Sequence, residues 1–130
     1  VLEALRRIHA RGAARIVFVD VPVHRESRPL AEAFIAAASS FEEALRARGT
    51  LFRLARPAPR GLTRDACLSA LRSAGLKPRP GDPAPVFREW DRLLRHFRVR
   101  STPTVVVVDP VAGPSVSRGA GEVLAALGRL

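Results

Sequence analysis

With 130 residues, 47% of them hydrophobic and 26% charged, the chain suits one domain around a single core. No apolar run approaches the ~20 residues that cross a bilayer. The net charge of +10 favours acidic partners, but the arginines are spread through every segment with no long basic run, so nucleic-acid binding is not expected. Cys67 is the only cysteine and His9, His24 and His96 lie far apart in sequence, which excludes an internal disulfide and argues against a metal site.

The chain opens on Val1 rather than methionine and shows no signal peptide, which reads as a processed or excised domain. Leu2, Leu5, Ile8 and His9 share one face of a short helix that Gly12 ends, so residues 1–14 form a helix and lead-in. Arg15–Val21 (RIVFVDV) is apolar and β-branched, the pattern of a buried strand, and Pro22 stops it. From Pro29 to Arg48 the apolar residues Leu30, Phe34, Phe41 and Leu45 recur at helical spacing, with Ser27 or Arg28 as cap and Gly49 as stop. Thr50–Arg56 (TLFRLAR) then reads as a second strand.

Beyond the PAPRGL loop, Thr63 caps a predicted helix over Arg64–Ala74, with Leu68 and Leu71 inward and Gly75 at its end. Lys77–Pro85 is too proline-rich for either element. A helix follows over Val86–Phe97 with the stripe Phe87, Trp90, Leu94 and Phe97. Val105–Val108 reads as a strand, DPVAG as a turn, SVSR as its hairpin partner, and GEVLAALGRL as a closing helix through Val123, Leu124 and Leu127. Strands separated by helices predict a parallel pair with right-handed crossovers, extended by the final antiparallel hairpin.

The element order, the Thr102-Pro103-Thr104 entry to a valine strand and the leucine-bearing last helix resemble the thioredoxin fold. That resemblance implies a single α/β domain over 1–130, a mixed four-stranded sheet flanked by helices, and a cis-proline at Pro103 before the third strand. It also implies that the Thr102 backbone faces a docking chain. Redox members need a Cys-x-x-Cys pair at a helix start, where the helix N-terminus lowers a thiol pKa and a second thiol resolves the mixed disulfide. Here Phe18 and Asp20 match the preceding pattern, while Val23 and Glu26 occupy the cysteine positions, and neither exchanges a disulfide. Asp20 then reads as a structural carboxylate, and Cys67, beside Leu68 and Leu71, as a buried structural thiol.

Among redox-inactive branches the chain resembles the TrbC-type family, which assists pilus assembly in F-type conjugative secretion. The residues that carry the likeness are PVFREWDRLLRHFRVRSTPTVVVVD, followed by SRGAGEVLAALGRL. The resemblance implies a periplasmic setting and, as partner, another subunit of the same apparatus. The expected docking face draws on His24, Arg25 and Glu26 at a helix entrance and on Arg100, Ser101, Thr102 and Pro103. Two arginines near a helix N-terminus make such a face attractive to carboxylates. No serine or threonine is paired with a general base in a recognisable motif, so the chain is expected to be a protein-interaction module rather than an enzyme, without cofactor. The alternative is a thiol-cofactor-binding or degenerate disulfide-isomerase-like enzyme.

Overall fold

The computed structural model describes residues 1–21, 24–57 and 60–130. Among these residues the chain forms six α-helices and one two-stranded antiparallel sheet, which corrects the expected four-stranded mixed sheet of a thioredoxin-like α/β fold. The chain divides into two compact units, Phe18–Arg88 and the combination of Val1–Val17 with Glu89–Leu130.

Within Phe18–Arg88 the helices are α2 (Arg28–Ala37), α3 (Phe41–Ala55) and α4 (Arg64–Ser73), all three in mutual contact. A 3-10 turn, Arg25–Ser27, leads into α2, and Pro29 occupies its first turn, where a missing N–H costs nothing. Half of the buried core is alanine, and the rest is mostly large side chains. Ala33 and Ala47 are wholly inaccessible, and Phe34, Leu45, Leu51 and Leu71 are buried beside them. Small residues let the helix backbones approach, and the large ones fill what remains.

The single helix expected over Pro29–Arg48 is two helices. The chain breaks at Ser39–Ser40, where Ser40 takes an extended conformation and its hydroxyl accepts the Glu43 N–H at 3.2 Å. Glu43 reaches back and accepts from the Ser39 N–H at 3.3 Å and from the Ser39 hydroxyl. This is close to a capping box, in which two orphan donors at a helix start are satisfied reciprocally. Hydrogen bonds from Ser39 hold the Glu43 carboxyl below its ordinary pKa, with Arg79 and the Ser40 hydroxyl adding to the effect.

The expected strand over Thr50–Arg56 is instead the second half of α3. Gly49 does not stop the helix, because a helical glycine costs only about 1 kcal/mol against alanine, and Ala44, Leu45, Ala47 and Leu51 bury one face. With that strand gone, Arg15–Val21 has no parallel neighbour, and residues 13–21 carry neither helix nor strand. Helix α4 begins with Thr63, whose hydroxyl accepts the Ala66 N–H at 3.1 Å. It ends at Gly75, whose φ of +79° is a left-handed conformation that glycine adopts at little cost. Arg46 closes that end by donating to the Ala74 carbonyl at 2.7 Å.

The other unit contains α1 (Leu2–Ala10), the hairpin of β1 (Thr104–Asp109) and β2 (Gly113–Arg118), and α6 (Gly119–Gly128). Its core is Ile8, Val123 and Leu127, with Leu5, Ala14, Ile16 and Val105 packed partly buried against it. Helix α5 (Ala84–His96) holds the unit boundary between Arg88 and Glu89. The Thr102–Pro103 peptide bond is cis. The strand that follows it is the first of two, not the third of four.

Candidate docking cleft

The residues singled out by sequence fall in different units. In the Phe18–Arg88 unit, His24, Arg25 and Glu26 are exposed on the 3-10 turn, where the Ser27 N–H donates to the His24 carbonyl at 2.9 Å. Val23 and Pro22 lie outside the described residues. In the other unit Arg100, Ser101, Thr102 and Pro103 are all exposed. The Ser101 carbonyl accepts from the Thr104 hydroxyl at 2.6 Å, and the Pro103 carbonyl accepts from the Gly119 N–H at 2.9 Å. Two of the main-chain acceptors at this entrance are therefore already engaged inside the chain. Cys67 is buried in α4, and that burial pushes its thiol pKa up, the wrong direction for a reactive thiolate.

Sequence reasoning missed the feature that the Phe18–Arg88 unit builds around Arg48. Its Nη1 donates to Asp20 Oδ1 at 2.5 Å, with both side chains about a quarter exposed. The same guanidinium carbon lies 5.4 Å from the Phe18 ring centroid, 5.3 Å from Phe34 and 5.7 Å from Phe52. Phe18 in turn stacks on Phe41 with centroids 6.2 Å apart and meets Phe34 edge-on at 6.4 Å. Arginine suits such a place because its flat, weakly hydrated cation satisfies a carboxylate in plane and ring faces above and below. The arrangement follows from the helix. Phe41, Leu45, Arg48 and Phe52 recur at three- and four-residue steps along α3 and so share one face.

Beside this cluster lies an open cleft of about 220 Å³. Ala31, Phe34 and Leu51 line it as buried residues, and Asp20, Ser27 and Arg48 supply its polar side chains. Two exposed apolar side chains also line it, Phe52 at 65% and Val21 at 38% accessibility. A second cavity of about 200 Å³ is lined by Glu32, Arg64, Arg79 and Asp82 among others. Among the described residues Glu32 carries the ion pairs there, and the buried Arg64 Nε has no hydrogen-bond partner. Arg28 Nε lies 2.9 Å from Glu32 and Arg64 Nε 4.0 Å from the same carboxylate.

The charge excess is not concentrated in either unit. Residues 18–88 hold twelve basic and seven acidic side chains and the remainder ten and five, a net +5 in each. Among the described residues no helix is long and apolar enough to cross a membrane. Comparison with protein-family models, with curated proteins and with solved structures finds no match to this chain.

Proposed function

We propose that the chain is a non-enzymatic protein-interaction module whose Phe18–Arg88 unit receives one apolar side chain of an acidic protein segment in the cleft beside Arg48. The observation that carries this reading is the cleft's size and edge. At about 220 Å³ it falls below the ~300 Å³ at which small-molecule and cofactor sites begin, and it suits a single anchoring side chain. An exposed phenylalanine among its lining residues is the kind of group that interfaces use to exclude water around such an anchor. Arg48, oriented by Asp20 and three rings, offers its remaining donors to a carboxylate or carbonyl next to the anchor. The unit's net charge of +5 disfavours basic partners.

The setting in a conjugative pilus or type IV secretion apparatus, with another subunit as partner and the periplasm as compartment, is supported by the sequence resemblance from about Ile16 to the C-terminus, carried by residues 85–109 and 117–130. The thioredoxin frame behind that resemblance is not the fold found, so this setting rests on sequence likeness alone, and the thiol-cofactor or isomerase-like alternative loses the same frame.

Selection from a random peptide library against the native chain tests the docking reading. It should enrich a single Leu, Phe or Trp flanked by Asp or Glu. Phe52→Glu should then weaken the selected peptides by about 2 kcal/mol, thirtyfold in Kd, without unfolding the chain. Basic consensus peptides, or acidic ones indifferent to Phe52→Glu, would refute it.

A further inference from the structure

Strand β1 is bonded on one side only. Its register runs from Thr104 opposite Arg118 to Asp109 opposite Gly113. Among the described residues no backbone hydrogen bond reaches Val105–Asp109 from any element but β2. Alternate N–H and C=O groups along β1 therefore point away from β2 without a backbone partner.

The two edges of this small sheet are not alike. The β2 strand, GPSVSR, carries Pro114, which lacks a donor, and the charged Arg118, both devices that blunt an edge. The β1 strand, TVVVVD, has no proline, glycine or basic residue, and Val108 is 65% exposed. A β-branched run this uniform is a template for another strand.

We propose that a second copy of this chain pairs antiparallel along the outer edge of β1, joining the two hairpins into one four-stranded sheet about a two-fold axis. Charge selects both the occupant and the orientation. Exposed Arg98 and Arg100 precede the uncharged run, and exposed Asp109 ends it. A parallel alignment sets arginine beside arginine and Asp109 beside Asp109. In the antiparallel alignment that sets Val105 against Val108, Asp109 of each copy falls opposite Thr104 of the other, at the strand end that Arg100 precedes, twice by symmetry. Four valines then face four valines in a self-complementary ladder, and an axis perpendicular to the sheet keeps both α6 helices on one side. Six residues of edge pairing cover far less than the ~1,200 Å² of a stable interface, so the dimer is weak and concentration-dependent. This contact is independent of the cleft.

Sedimentation velocity on the native chain, from micromolar to millimolar concentration, combined with amide hydrogen exchange at each concentration, decides the matter. The expected result is a reversible dimer whose formation protects every second amide in Val105–Val108, those not bonded to β2. Arg100→Asp should weaken it about threefold at low salt, by placing an acid near Asp109 of the other copy at both ends, and less as salt is raised. Val108→Lys, at an exposed position where folding is undisturbed, should abolish it. A chain monomeric at millimolar concentration overturns the proposal. So does a dimer that protects other amides or ignores both substitutions, and so does an edge that takes only a foreign strand.

Discussion

Arg48→Met removes the Asp20 ion pair and three ring contacts while keeping a long apolar side chain on α3. The ion pair, with both partners about a quarter exposed, lies between two regimes. Exposed pairs contribute under about 1 kcal/mol, and breaking a buried one costs about 3–5 kcal/mol. An intermediate loss of about 1.5 kcal/mol fits this exposure. The three rings, at 5.3–5.7 Å, share one cation, and methionine sulfur recovers part of the aromatic contact, so they add about 0.5 kcal/mol. The expected total is about 2 kcal/mol, or some 8 °C in Tm for a chain of this length. Urea titration followed by circular dichroism measures it. Amide exchange over residues 18–21 shows whether the loss is local to the segment that Asp20 anchors. Asp20→Asn keeps an acceptor and should cost less, and the double variant should show a coupling of about 1 kcal/mol. A loss under about 0.5 kcal/mol for Arg48→Met, or a strictly additive cycle, would refute the clamp.

Ser40→Ala should cost about 1 kcal/mol by removing the α3 cap, read as faster exchange of the Glu43 amide. The Glu43 carboxyl is held below its ordinary pKa, so its share of that cap is present above the normal carboxylate range. That share is lost as pH falls below about 4, with fraying confined to the start of α3 in an acid titration. Arg98 has a φ of +50° just beyond α5, a conformation that disfavours any residue with a Cβ. Arg98→Gly should therefore raise stability by about 1 kcal/mol in the same urea assay, and a loss of that size would contradict the backbone described.

Where local chemistry marked both ends of an element, reading by residue type sufficed. Thr63 and Gly75 bracket α4, Gly12 follows α1, and the DPVAG turn separates β1 from β2. In that turn Asp109 accepts the Val111 and Ala112 N–H groups at 2.8 Å each, which also lowers its carboxyl pKa. Residue type misleads at Thr50–Arg56, where a short run of apolar and basic residues fits either period and Gly49 resembles a terminator. A boundary there hides the cleft. Arg48 and Phe52 share a helix face only if the helix continues through Gly49. The Ser40-Phe41-Glu42-Glu43 capping signal sets α3's start nine residues before Thr50, leaving a single helix as the simpler account. Asp20 was legible as a structural carboxylate. Its partner, 28 residues away, was not, because pairing across that distance follows from how α3 packs rather than from any local pattern.

Backbone carbon chemical shifts of Gly49–Ala55 test the account most directly, since the cleft, the Arg48 clamp and the docking reading all require α3 to run unbroken through them. Helical Cα deviations along that whole segment are the predicted result. Extended-strand values from Thr50 onward would separate Arg48 from Phe52 and remove the site.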